Sequence, residues 1–231
     1  MLKTIRGVVS IIVLILSIGM LAWALVPARR QTLVQVIAPV TVSEVDGSLK
    51  TVLVIQDYQA VLEWPDSLRI GETGKITLTF EPVPAQANSK ESPSSSISVY
   101  TSNNLMAESN FEVAGLQVNP ANPRLESLLE GKTVKPKWQV GAQQPGTYQG
   151  NVWLSLQILP LSGGAPSNIP IFIHEVNVHA TSFLGLSGPL TRTLGGIGIA
   201  FSVILSIDVM IALVKRWVRK RDTKDHSQTH T

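Results

Sequence analysis

The sequence contains no cysteine. Disulfide bonds, thiolate metal sites and cysteine nucleophiles are therefore excluded. It also contains no Asn-x-Ser/Thr sequon, which argues against an N-glycosylated ectodomain. No Gly-x-Ser-x-Gly, His-Glu-x-x-His or phosphate-binding glycine loop occurs. With no nucleophile or metalloenzyme motif, we expect a protein that is not an enzyme and uses no cofactor.

Charged residues are sparse, at 15% of the chain, and they are unevenly distributed. Residues 28–192 hold slightly more acidic than basic side chains, whereas the chain as a whole has a net charge of +3. The excess of basic residues therefore comes from the two ends of the chain. Because no nucleic-acid-binding motif accompanies these basic ends, we expect no nucleic-acid partner.

Two long apolar runs, Gly7–Val26 and Gly195–Val214, lie near the ends of the chain. A helix rises 1.5 Å per residue, so each run can cross a hydrocarbon core of about 30 Å. The first predicts a transmembrane helix over residues 7–27 that acts as an uncleaved signal anchor. The alternative is a signal peptide cleaved near Ala24. The second run predicts a transmembrane helix over residues 195–214, so the lipid bilayer is a predicted partner.

The basic flanks of these runs predict the topology. Six lysine and arginine residues follow the second run in the tail 215–231, and positive charge marks the cytoplasmic side. Residues 1–6 form a short basic N-terminus. We therefore expect a two-pass protein of a bacterial cell membrane with both termini in the cytoplasm. Residues 28–180 would form an extracytoplasmic domain, joined to the second helix by a linker over residues 181–194.

The region between the two apolar runs has the alternation of β-strands. In Gly74–Phe80 and Thr147–Ile158, apolar and polar side chains alternate with a period of two residues. About eight short strands with polar turns predict an all-β antiparallel sandwich, with Pro82–Ser95 as a long loop. Arg124–Leu129 is the only candidate helical turn. The other predicted strands are Thr32–Ala38, Leu49–Ile55, Tyr58–Trp64, Ser96–Thr101, Asn110–Val118, Lys135–Val140 and Ile169–Ala180.

Two stretches carry a resemblance to a known family. Lys135–Leu159 has a strand ending Trp-x-Val, a Pro-Gly turn and a long alternating strand. In Trp64–Leu78, a Pro-x-x-Leu-x-x-Gly pattern leads into another alternating strand. Both resemble bacterial membrane-anchored immunoglobulin-like β-sandwich domains. The resemblance implies the immunoglobulin-like fold and implies no catalytic residues.

Asp208 is the most informative polar residue of the second apolar run. An ionised aspartate at a helix centre costs about 2.5–3.5 kcal/mol on insertion scales. It is therefore a candidate intramembrane contact to a partner helix. The alternative is a protonated or hydrated aspartate near the inner leaflet with no partner. In an antiparallel helix pair, Ser10 and Ser17 of the first run are candidate hydrogen-bonding partners for it.

Three small residues of the second run, Gly198, Ser202 and Ser206, recur every fourth position. Such faces let helices approach closely, so they are candidates for packing against the first helix, with self-association or no specific role as alternatives. In the β region, Trp153 lies on the polar face of its strand and is a candidate for surface binding, with cover by a loop or a neighbouring side chain as the alternative. Trp138 shares a face with Val140 and is expected in the core.

Two histidines belong to one predicted strand. His174 shares a face with apolar residues, and His179 lies on the opposite face. Opposite faces of one regular strand cannot ligate one metal ion, so we expect no metal site there.

Three functions fit these observations. The first is a non-enzymatic, membrane-anchored immunoglobulin-like module for protein interaction or envelope structure. The second is an accessory subunit of a membrane transport or secretion complex that acts through its helices and Asp208. The third is an extracytoplasmic hydrolase or carbohydrate binder that uses Trp153 as a stacking platform. In the first two, the expected partners are other membrane or envelope proteins.

Overall fold

A computed structural model describes residues 2–37, 41–46, 49–54, 58–83, 103–160 and 166–225. For residues 2–6, 41–46, 49–54, 103, 160, 208–210 and 212–225 the structure describes the backbone alone. The chain divides into two compact units. One unit comprises residues 1–27 and 182–231, and the other comprises Ala28–Thr181. The predicted strand Ser96–Thr101 and most of the predicted loop Pro82–Ser95 lie outside the described residues.

The first unit contains two helices, α1 (Leu2–Leu25) and α2 (Gly188–Asp225). Both contain a stretch long and apolar enough to cross a membrane, Gly7–Leu25 in α1 and Gly188–Ile207 in α2. Large apolar side chains on both helices are exposed, among them Ile15 and Ile204. Such an apolar surface suits a lipid environment.

The helix α2 begins at Gly188, seven residues before the apolar run that predicted it, so residues 188–194 of the predicted linker are helical. The carbonyl of Ser187 accepts a hydrogen bond from the amide of Thr191 at 2.9 Å, which makes Ser187 the N-cap. Pro189 fits the first turn of the helix because that turn needs no amide donor there. The second half of the predicted linker is therefore the first part of α2.

The second unit contains twelve strands within the described residues. Apolar and polar residues alternate along many of these strands, as expected for strands with one buried face. The prediction of a β-rich region between two apolar helices is confirmed. The strands are β1 (Arg30–Ile37), β2 (Thr41–Asp46), β3 (Leu49–Val54), β4 (Tyr58–Pro65), β5 (Ser67–Arg69), β6 (Thr73–Pro82), β7 (Asn103–Val113), β8 (Leu116–Asn119), β9 (Arg124–Ser127), β10 (Lys137–Ala142), β11 (Gly146–Pro160) and β12 (Ser167–Thr181).

These strands form two five-stranded sheets and one hairpin. The first sheet has the order β1-β4-β6-β10-β8, and the second has the order β5-β12-β11-β7-β9. The strands β2 and β3 pair only with each other. One core lies between the five-stranded sheets, with Trp138 of the first sheet 6.3 Å from Phe111 of the second between ring centroids. The unit is therefore a two-layer, sandwich-like structure.

Several of the strands differ from the predicted ones. Predicted strand Asn110–Val118 is broken at Gly115, whose φ of +84° suits glycine, and the chain passes there from the second sheet to the first. The candidate helical turn at Arg124–Leu129 is wrong, because β9 pairs with β7 there. The sandwich is also not wholly antiparallel, since β5 runs parallel to β12.

Candidate functional site

The two helices of the first unit meet along a face of small and hydroxyl-bearing residues. The hydroxyl of Ser10 donates to the carbonyl of Ser202 at 2.9 Å and lies 2.8 Å from the hydroxyl of Ser206. The hydroxyls of Ser202 and Ser206 each donate a hydrogen bond back along α2, to the carbonyls of Gly198 and Ser202 respectively. Ser10, Ser17 and Ser202 are all buried. These contacts satisfy hydroxyl groups that lie away from water.

Two glycines of α2 allow this close approach. A Cβ atom at Gly195 would lie 2.8 Å from the side chain of Leu21, and one at Gly198 would overlap the side chain of Ser17. Gly196, on another face of α2, has no neighbour within 4 Å of such an atom. The structure therefore brings Gly198, Ser202 and Ser206 against Ser10 and Ser17 of α1, in an antiparallel pair.

An arginine joins the two helices at the other end of this face. The Nε atom of Arg192 donates to the carbonyl of Ala24 at 3.2 Å, in the last turn of α1. That turn has no basic residue of its own, and the last carbonyls of a helix lack partners within the helix. A cation from α2 therefore meets the negative end of the α1 dipole.

The backbone of Asp208 belongs to α2, but its side chain lies outside the described residues. Its two candidate hydrogen-bonding partners, Ser10 and Ser17, lie against Ser202, Ser206 and Gly198 among the described residues. The candidate contact of Asp208 therefore stays a prediction.

Trp153 lies on the outer face of the second sheet, the face turned away from the core. It is half-buried and stands directly between Ile173 of β12 and Asn110 of β7. Ile173 is 66% exposed. The next row along these strands is Glu112, Asn151 and Glu175, and the row on the other side includes Glu108. Carboxylates therefore flank the Trp153 row on both sides.

We call this surface the acidic face and define it by Glu108, Glu112, Trp153, Ile173 and Glu175. Strands lie about 4.8 Å apart and two residues along a strand span about 6.8 Å. On that spacing, Glu112 and Glu175 are about 10 Å apart across β11, one row from Trp153.

Neighbouring amide side chains hold all three carboxylates of the acidic face. Glu108 accepts a hydrogen bond from Gln157 at 2.7 Å, Glu112 from Asn110 at 2.9 Å, and Glu175 from Asn177 at 3.3 Å. None of the three forms an ion pair within the described part of the chain. Moreover, β7, β11 and β12 contain no lysine or arginine. The acidic face therefore carries negative charge that its three central strands do not neutralise.

Ser155 lies in the floor of the acidic face. It is directly opposite Glu108 and only 4% exposed, and its hydroxyl has no hydrogen-bond partner among the described residues. The β11–β12 register shifts between Leu154 and Ser155, where β12 carries Pro170. A β-bulge of this kind re-aims side chains and is frequent beside binding sites.

A groove of about 520 Å³ adjoins the acidic face at Glu112 and Asn151. Its apolar lining includes Phe111, Leu116 and Val118. Gly150 is also part of the wall. The groove is largely open to solvent.

The two histidines of β12 lie on opposite faces. His174 faces the core, with its ring centroid 5.6 Å from that of Trp64, whereas the Nδ1 atom of His179 lies 3.0 Å from the hydroxyl of Thr147. The described residues contain no group of three potential metal ligands.

Comparisons with known proteins give matches among solved structures. No family model matches the chain, and a search of curated proteins finds no match. Among solved structures, the chain is similar to the crystal structure of the cupredoxin domain of amoB from Nitrosocaldus yellowstonii, with 15% identity and a TM-score of 0.24. The similarity covers 48% of this chain and 56% of that one, so it spans about half of each.

Proposed function

We propose that the chain is a two-pass membrane protein whose helices α1 and α2 anchor an extracytoplasmic immunoglobulin-like sandwich. The sandwich serves protein interaction or envelope structure and is not an enzyme. The observation that carries this proposal is the acidic face, where exposed Ile173 and half-buried Trp153 lie among carboxylates without cationic partners. Aromatic and aliphatic anchors with a polar surround are typical of protein interfaces.

The order of strands supports the immunoglobulin-like fold. Constant-type domains have one sheet with strands A, B, E and D, and a second with C, F and G. Here β4-β6-β10-β8 has the first arrangement and β12-β11-β7 the second, with chain order running from A to G. The remaining strands of the two sheets, β1, β5 and β9, are additions at their edges.

Tyr148 supplies a second observation in support. It lies near the start of β11, the strand equivalent to F, and its hydroxyl donates to the carbonyl of Gln144 at 2.8 Å. This is the pattern of a tyrosine corner. Antibody domains carry a cysteine two residues later, where this chain has Gly150. A Cβ atom there would lie 2.6 Å from the carbonyl oxygen of Glu112, so the position has no room for a cysteine.

The topology can be tested by labelling because the chain has no native cysteine. Lys132→Cys introduces a thiol at an exposed turn of the sandwich, and Ser227→Cys introduces one in the C-terminal tail. In intact cells, a membrane-impermeant maleimide should label the first variant only. After lysis it should label both. Labelling of the tail in intact cells would contradict the proposed topology.

The interaction role can be tested with a photo-cross-linking amino acid placed at Ile173 in the full chain. The matched control is Gln139, an exposed residue on the outer face of the first sheet. Irradiation of intact cells should give a discrete adduct from position 173 and none from position 139. If neither position gives an adduct, the interaction role is wrong.

The alternative proposal is an accessory subunit of a membrane transport or secretion complex that acts through α2 and Asp208. The comparison of Asp208→Leu with Asp208→Asn separates it from the first proposal. If the adduct from position 173 disappears in the Leu variant alone, the partner is held through the helices. If both variants keep the adduct, the sandwich binds its partner without this aspartate.

A further inference from the structure

We infer that the acidic face binds a segment of a partner protein that carries arginine or lysine side chains. The inference rests on the proposed interaction role and adds to it both a surface and the chemistry of the partner. It is distinct from the carbohydrate-binding alternative, which would use Trp153 without needing the carboxylates.

Charge is unevenly distributed between the outer faces of the two sheets. The outer face of the first sheet has lysines beside glutamates, with Lys75 and Lys137 on the same face as Glu63 and Glu81. The acidic face has three glutamates, and its three central strands have no lysine or arginine. A partner that matches this charge must be basic, because complementary potentials guide association and like charges prevent it.

Neighbouring side chains already orient the three carboxylates of the acidic face. Amide donors hold one oxygen each of Glu108, Glu112 and Glu175, which leaves the second oxygen of each carboxylate to accept from a partner. Because these side chains are already oriented, binding a guanidinium or ammonium group loses less side-chain entropy than binding by free carboxylates would.

Trp153 adds an aromatic side chain beside these carboxylates. An arginine or lysine that reaches Glu112 or Glu175 comes within one row of the indole, about 6.8 Å along the strand. A long side chain that leans from that row over the indole face, to within about 6 Å of its centre, gains a further attraction. The exposed side chain of Ile173 and the apolar wall of the groove beside Glu112 can cover the aliphatic stems of such residues.

Ser155 places a buried hydroxyl beneath the acidic face. It points to the same side of β11 as Trp153, opposite Glu108, and it has no described hydrogen-bond partner. A buried hydroxyl without a partner costs stability. An N–H group of a bound partner that displaces the covering side chains would satisfy it, since a hydroxyl oxygen accepts as well as donates.

The test uses the full chain in nanodiscs of phosphatidylcholine, a lipid without net charge. The probes are two decapeptides, one with alternating arginine and serine and one with alternating glutamine and serine. By calorimetric titration in dilute salt, the arginine peptide should bind at least about tenfold more tightly than the glutamine peptide. Salt near 1 M should remove most of this difference, because the Debye length then falls to about 3 Å. Equal binding of the two peptides would overturn the inference without any variant being needed.

Variants assign the binding to the acidic face. Glu112→Gln with Glu175→Gln should weaken binding of the arginine peptide about tenfold, and Trp153→Leu about threefold. The matched control is Glu81→Gln, which also removes a carboxylate that accepts an amide hydrogen bond, from Gln59 at 2.8 Å, on the other sheet. It should leave affinity unchanged. An equal loss in Glu81→Gln would overturn the inference.

Two further outcomes separate this inference from the proposed function. An adduct from position 173 in cells, with peptide binding indifferent to Glu112 and Glu175, would leave the interaction role intact and refute a basic partner. Binding of chitopentaose that depends on Trp153 and is indifferent to Glu112 and Glu175 would replace the protein partner by a carbohydrate. Near-ultraviolet circular dichroism of each variant verifies that the sandwich is folded.

Discussion

Replacing Gly150 by alanine should destabilise the sandwich, although alanine is ordinarily the better residue in a strand. Gly150 lies in the middle of the second sheet, between Val113 of β7 and Val176 of β12. An added Cβ atom would lie 2.6 Å from the carbonyl oxygen of Glu112 and 2.7 Å from the Cβ of Val113. Both atoms belong to, or are fixed by, the backbone of β7, so neither can move away without shifting the strand.

The magnitude follows from two opposing effects. Removing a glycine from a strand gains about 0.5–1 kcal/mol, whereas an overpacked core residue costs about 1–3 kcal/mol. For Gly150→Ala the cost is the larger, and we expect a net loss of about 1–2 kcal/mol. In a domain of this size, each kcal/mol corresponds to about 2–4 °C, so the unfolding midpoint should fall by about 2–8 °C.

Gly141 of β10 provides the matched control. A Cβ atom there would lie 3.6 Å from the carbonyl oxygen of Glu72 and 3.9 Å from the side chain of Thr73, which are ordinary contact distances. Gly141→Ala should therefore stabilise the protein by about 0.5 kcal/mol. Thermal unfolding of the full chain in detergent, followed by near-ultraviolet circular dichroism, measures both changes. If Gly150→Ala unfolds at or above the midpoint of Gly141→Ala, the packing of β7 against β11 is not as described.

Three other predictions concern single contacts. Tyr148→Phe should lower the free energy of unfolding by about 1 kcal/mol, measured by urea titration, because the corner hydrogen bond is lost; an unchanged midpoint would contradict it. In the cysteine-free chain, Ser10→Cys with Ser206→Cys should form an intramolecular disulfide on mild oxidation, seen as a gel shift that reduction reverses. Adding Gly195→Leu should abolish that shift, whereas adding Gly196→Leu should preserve it; the opposite result would refute the contact face between the helices.

Strands with strict alternation could be predicted from sequence because the period of two reports burial directly. In Thr147–Ile158, the predicted apolar face is the one that faces the core, and the strand extends from Gly146 to Pro160. Trp138, assigned to the core by its spacing from Val140, is fully buried. Alternation fails for short strands, since the three residues of β5 contain less than two periods.

The misassigned elements depend on contacts that are distant in sequence. Nothing local makes Arg124–Ser127 a strand; it pairs with Met106–Ser109 of β7. Of the paired strands β2 and β3, only the second was predicted, as Leu49–Ile55. The helix α2 begins at Gly188, whereas the apolar run begins at Gly195. The two differ because hydropathy reports the surrounding solvent, whereas capping determines where a helix starts.

The acidic face illustrates the same limit for function. Alternation assigns Trp153, Glu112 and Glu175 each to the polar side of its own strand, and the sequence supports Trp153 as a candidate on that basis alone. Their proximity depends on the register that sets Asn151 opposite both glutamates, across strands that are separated by as many as 63 positions in the chain. The absence of lysine from β7, β11 and β12 can be read from the sequence. It produces an unneutralised acidic surface because these strands are neighbours in one sheet, which the sequence does not reveal. A charged interaction surface on a sheet is therefore a property of strand order, and three isolated glutamates become a candidate site for a basic partner only through that order.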